Sequence, residues 1–73
     1  MDYPNYTFGN KTYNLLQFKK VTWKGRKSLE SMLAASKWTI EFRDGNKVTV
    51  DRQEYCDNND EFEFYMLEIT FPG

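Results

Sequence analysis

Few residues in this chain are equipped for catalysis. There is no histidine, and Cys56 is the only cysteine. That removes the side chain that most often acts as general base or metal ligand, and it rules out a disulfide within the chain. A reactive thiolate needs a neighbouring cation or base. Cys56 instead lies among Glu54, Asp57, Asp60, Glu61 and Glu63, which raise a thiol pKa. Glu61 and Glu63 would share one face of a strand, and an acid–base pair there would require a desolvating pocket. A chain of 73 residues has little material for a core and a cleft together. No GxGxxG, GxxxxGK[ST] or GxSxG sequence is present. Asp57-Asn58-Asn59-Asp60-Glu61 offers oxygen ligands for Ca²⁺, but the glycine of an EF-hand loop is missing. These observations point away from an enzyme and lead us to expect no metal and no cofactor.

What remains is a polarised charge. The formal net charge is only -1. Yet residues 1–37 hold seven Lys or Arg against two carboxylates, while residues 38–73 hold three against nine. Such asymmetry bears on partners rather than on fold. The acidic segment Glu54, Tyr55, Asp57, Asp60, Glu61 and Glu63 interleaves acids with aromatics. Carboxylates can imitate phosphates in a basic groove of another protein, with aromatics as desolvated anchors. The plainer alternative is a solvated loop joining two strands. The basic segment Lys19, Lys20, Trp23, Lys24, Arg26 and Lys27 has the makings of a nucleic-acid surface, with cations for phosphates and an indole for stacking. It carries no zinc-finger, RNA-binding or helix-turn-helix signature, and its plainer alternative is a sheet edge protected by lysines.

The elements that must position these groups are legible in part. Trp38–Arg43 and Lys47–Asp51 alternate apolar and polar residues around Asp44-Gly45-Asn46, which predicts a hairpin. A three-residue loop pairing Phe42 with Val48 and Ile40 with Val50 keeps both apolar faces together, with Asn46 as the candidate for positive φ. Tyr6-Thr7-Phe8 and Lys11-Thr12-Tyr13 flank Gly9-Asn10, a two-residue hairpin turn of the Gly-first type. Val21-Thr22-Trp23 reads as a further strand. Ser28 is a suitable N-cap for a short helix over about residues 28–37, with Glu30 in its first turn, Lys37 in its last, and Leu29, Met32 and Leu33 as its apolar stripe. Residues 61–71 are dense in strand formers, but Phe62 and Phe64 are out of phase with Leu67, Ile69 and Phe71. A strand with a bulge near Tyr65-Met66 is preferred over a helix with Phe62, Tyr65, Met66 and Ile69 on one face, because aromatic density favours a pleated surface.

The expected fold is therefore α+β: one small domain over 1–73, a mainly antiparallel sheet of four to five strands, and one short helix. A small SH3-like barrel is the alternative. Six Phe, five Tyr and two Trp supply the core. The expected function is a small non-catalytic binding module, such as an accessory inhibitor of a larger and nucleic-acid-handling protein, acting through the acidic segment. Binding of nucleic acid through residues 19–27, or self-association through the C-terminal strand, are the alternatives. No apolar run is long enough for a membrane helix and no signal-peptide pattern opens the chain, so the cytoplasm is the expected compartment.

Overall fold

Turn chemistry sets the first element. Gly9 adopts φ +67° and Asn10 stays at negative φ, so Gly9-Asn10 closes a two-residue turn between β1 (Asn5–Phe8) and β2 (Lys11–Asn14), with Phe8 opposite Lys11. The expected turn and its register are both found. Tyr6, Phe8 and Tyr13 point inward, and Thr7 and Thr12 bond across the outer face at 2.9 Å. The computed structural model describes residues 2–73.

A 3₁₀ turn at Leu15–Gln17 leads into β3 (Phe18–Thr22), which pairs antiparallel with β4 (Lys37–Phe42), itself paired with β5 (Lys47–Asp51). The five strands thus form a two-stranded and a three-stranded sheet, not one continuous sheet, and they do not close into a barrel. The β4–β5 loop has three residues, but they are Arg43-Asp44-Gly45 rather than 44–46. Gly45 N–H donates to the Phe42 carbonyl at 3.0 Å, and Gly45, not Asn46, takes positive φ (+93°). Glycine enters that region without a Cβ penalty, and this decides the loop. Ile40 therefore faces Val48 and Trp38 faces Val50. The register is displaced by two from the expected one. Since side chains alternate with period two, the buried face is the same.

The helices carry the larger corrections. α1 (Leu29–Ala34) begins at the expected cap, where Ser28 accepts from Ser31 N–H. It ends earlier than expected, and Lys37 opens β4. Residues 52–58, read as part of an acidic loop, form α2 (Arg52–Asn58). Residues 60–70, read as a strand, form α3 (Asp60–Thr70). The competing helical face is the one buried: Phe62 and Met66 are fully enclosed, with Tyr65 and Ile69 packed beside them. Two facts tip the balance. Asn59 caps α3 by accepting from Glu61 N–H at 3.0 Å, and the three carboxylates of the first turn lie where the helix dipole favours anions. The inner sheet face (Phe18, Val21, Trp38, Ile40, Phe42, Val50) also needs an apolar cover, which a stripe of helical spacing supplies.

The core is aromatic. Tyr13 stacks on Phe42 with centroids 3.7 Å apart, and Phe62 meets Tyr6 edge to face at 5.1 Å. Trp38 is 0% exposed, and its indole N–H donates to the Met32 carbonyl at 3.0 Å, tying α1 to the sheet. Among the described residues, no element covers the outer face of the three-stranded sheet. It presents three rows across the strands: Lys20, Glu41 and Lys47; Thr22, Thr39 and Thr49; and Lys37 with Asp51.

Candidate functional site

Helical geometry sorts the acidic segment. In α3, Phe62, Met66 and Ile69 face the sheet. Asp60, Phe64 and Leu67 follow one another at spacings of four and three, and Glu61 and Glu68 flank Phe64 at three and four, so these five share the opposite face, with Phe71 just beyond the helix end. Phe64 is 57% exposed. Across from it, Leu29 in the first turn of α1 is 52% exposed; of the expected stripe Leu29, Met32 and Leu33, only Met32 is fully buried. Leu29, Phe64, Leu67, Glu68 and Phe71 line one groove of about 450 Å³. Its walls are apolar apart from one carboxylate, Glu68, and Asp60 and Glu61 lie further along the same helix face.

The six residues of the expected acidic site are not brought together. Asp60 and Glu61 belong to the face just described, and both are exposed. Glu54 and Tyr55 line a different cleft of about 320 Å³, together with Asn58 and Asn59. Tyr55 is half-buried. It stacks on Phe8 at 5.6 Å and lies 5.2 Å from Phe62, and burial, with the Glu54 charge beside it, raises its hydroxyl pKa. Asp57 accepts from the Gln53 side-chain amide at 2.7 Å on α2. Glu63 is half-buried and turned toward α2, where it joins burial in pushing the Cys56 thiol up to about 11. The thiol is therefore protonated and enclosed. As residues of a helix, Glu61 and Glu63 stand roughly 200° apart rather than on one face. No group of three or more His, Cys, Asp or Glu among the described residues could hold a metal ion.

The basic segment is partly assembled. A bulge between Phe18 and Lys20 allows Phe18 and Val21 both to face inward while Lys19 and Lys20 face outward. Both ammonium groups approach Glu41, at 3.6 and 3.7 Å. After β3 the chain turns at Gly25, with φ +136°, and a Cβ there would lie 2.6 Å from Ser31 Oγ. This turn folds Trp23 back so that its indole N–H donates to the Arg26 carbonyl at 2.9 Å and to Ser31 Oγ at 3.2 Å. Lys20, Trp23 and Lys27 line one concavity of about 240 Å³. Trp23, Lys24 and Lys37 line a second of about 660 Å³. Lys24, Arg26 and Lys27 are exposed.

Residue-type reasoning missed Phe64, Leu29, Lys37 and Lys47 as surface groups. Helical periodicity over 60–71 carried the signal for Phe64, and the pairing of β4 with β5 carried it for the lysines.

The molecule is thus a small α+β protein with an acid-flanked apolar groove on its helical side and an open, lysine-bearing sheet face. No helix among the described residues is long and apolar enough to cross a membrane. In comparisons with known proteins, no family model, no curated protein and no solved structure matches the chain.

Proposed function

We propose that this chain is a small non-catalytic protein-binding module, and that the outer face of α3 is its contact surface. Phe64 is the anchor. Leu29, Leu67 and Phe71 form the rest of the apolar floor, and Asp60, Glu61 and Glu68 form the acidic side. The partner surface presents an apolar ridge flanked by cations, as a nucleic-acid-handling protein does when its phosphate-binding groove is empty. The observation that carries this reading is the exposure of Phe64 within a groove shared with exposed Leu29. Large apolar side chains gathered in one depression mark an interface, whereas scattered ones need no explanation. Aromatic anchors in such depressions carry most of an interface's energy, and the flanking charges steer approach and select the partner.

The same face argues against pairing with a second copy. Self-association through a C-terminal strand has no strand to use, since these residues are helical. A two-fold contact over Phe64 would set Asp60, Glu61 and Glu68 against their own copies, which is repulsive.

Affinity capture with the immobilised protein, compared with a Phe64→Ser variant and an Asp60→Lys/Glu61→Lys/Glu68→Lys variant, tests the reading. The polypeptide retained by the parent is expected to fall about tenfold or more with Phe64→Ser and to weaken with added salt. Because Phe64 is mostly exposed, Phe64→Ser leaves folding stability within about 0.5 kcal/mol. Equal capture by all three proteins, with matching circular dichroism spectra, removes this face from consideration.

A further inference from the structure

Among the described residues, no lysine other than Lys19 and Lys20 forms an ion pair within the fold. Cations commonly sit in the last turn of a helix, where the dipole favours them, but the last turns of α1, α2 and α3 contain none. Only Lys19 and Lys20 form ion pairs among the described residues, both with Glu41. Lys24, Arg26, Lys27, Lys37 and Lys47 are exposed and make no ion pair there. Together with Lys19 and Lys20, these residues come from four separate places: the bulged edge strand β3, the loop after it, the start of β4 and the start of β5. The topology gathers them around the uncovered sheet face, with Glu41 and Asp51 as the carboxylates on that face. Asp51 is itself engaged in capping α2, accepting from Glu54 N–H at 3.0 Å. Thr22, Thr39 and Thr49 add a row of hydroxyls between the charges.

Trp23 stands at the end of this face and forms a wall of both concavities, with Lys20 and Lys27 on one side and Lys24 and Lys37 on the other. Its two hydrogen bonds through Nε1 hold the ring in one orientation. An indole held rigid between two pairs of ammonium groups matches a stacked base with a phosphate on either side. From this arrangement we infer that the outer sheet face and the Trp23 loop bind single-stranded nucleic acid, chiefly through its phosphodiester backbone, with one base stacked on Trp23. A single strand fits better than a duplex because a duplex offers no unstacked base to an indole. Sequence selectivity is weak, since every base has a π-face and no array of amide or guanidinium groups surrounds Trp23 to read base edges. This surface adjoins the α3 groove through Phe71, whose ring centroid lies 6.3 Å from that of Trp23, but Phe64 lines neither Trp23 concavity, so Phe64→Ser is expected to leave oligonucleotide affinity unchanged.

The test is fluorescence anisotropy with a labelled oligothymidylate of about twelve nucleotides and with a duplex of the same length, at about 50 mM salt. The single strand is expected to bind more tightly than the duplex. The log–log salt slope is expected near -2 to -3, at about -0.7 for each of roughly three or four neutralised phosphates. Binding also quenches tryptophan emission, and Trp23 is the reporter because Trp38 is fully enclosed. Lys24→Glu/Lys27→Glu, two exposed positions, is expected to lower affinity by tenfold or more with an unchanged fold. Trp23→Phe keeps a ring in place and loses less affinity than Trp23→Ala. Undetectable single-strand binding overturns the proposal, as does equal affinity in Lys24→Glu/Lys27→Glu. Duplex binding as tight as single-strand binding, or binding without any change in emission, also overturns it. So does adsorption to phosphatidylserine vesicles in the absence of any oligonucleotide binding.

Discussion

The acidic and basic halves of the chain have similar numbers of charges but unequal structural explanations. Asp51 caps α2, Glu54 lies in its first turn, and Asp60, Glu61 and Glu63 lie in the first turn of α3. Each stands where unsatisfied backbone N–H groups and the helix dipole favour an anion. Asp44 is occupied too, accepting from Asn46 N–H at 2.9 Å and from the Tyr13 hydroxyl at 3.1 Å to hold the β4–β5 loop against the first hairpin. Much of the acidity is thus accounted for by local structure, and what singles out the helical side is an apolar residue, Phe64. On the sheet side the case is reversed. The apolar residues are buried or, like Val48 and Trp23, half-buried, and no lysine lies in the last turn of a helix among the described residues. A charge run therefore suggests function only after the local demands of helix ends and turns have been subtracted.

The largest expected effect removes the comparison altogether. Trp38→Ala opens a cavity under the sheet and leaves the Met32 carbonyl without its donor. A loss of about 3–5 kcal/mol is expected, measured by denaturant unfolding. That is most of what a domain of this size holds, so both faces are lost together. If the two faces instead fail separately, they do not share the one core described above.

Gly25→Ala separates the two sides. The new methyl group meets Ser31 Oγ at 2.6 Å in a backbone region that L residues avoid. A cost of about 1–3 kcal/mol is expected. Oligonucleotide affinity should fall with it, because the loop presenting Trp23 is displaced, while partner capture through Phe64 is retained. Loss of both activities in a folded Gly25→Ala protein would mean that the two surfaces are coupled.

The smallest effect concerns pH. The Asn46 backbone N–H, with help from Tyr13 and the Asn46 side chain, holds the Asp44 carboxyl below the usual carboxylate range. The folded pKa lies below the unfolded one. The contribution to stability is therefore present above the ordinary carboxylate pKa and is lost as pH falls through the depressed value. Stability measured from neutral pH downward should decline in that window, and Asp44→Asn should flatten the decline. An identical acid profile in Asp44→Asn would show that this acid is without structural work, and would weaken the contrast between the halves.

Much of the fold could be read from residue types, and the limits have physical causes. Gly9-Asn10 and the Ser28 cap were legible because each is a local backbone requirement met by a local residue. The β4–β5 register slipped by two because Gly45 and Asn46 both tolerate positive φ, and only the cheaper of them takes it. Residues 60–70 carry a pattern compatible with either period. Their two-phase apolar order already required a bulge to remain a strand, which was the sign of a helix. Of the acidic site, only Asp60 and Glu61 lie on the face now proposed. Phe64 was hidden because a strand would place it beside Phe62, whereas a helix turns it to the opposite side.

Residue order alone determined the class of molecule, since turn glycines, capping side chains and apolar alternation act over a few residues and need no distant partner. It also determined that the charge would be lopsided. Which groups became surface and which became support was settled only when the helices met the sheet. Enclosure depends on what lies across the core, and the outer face of the sheet is defined by the absence, among the described residues, of any element on it.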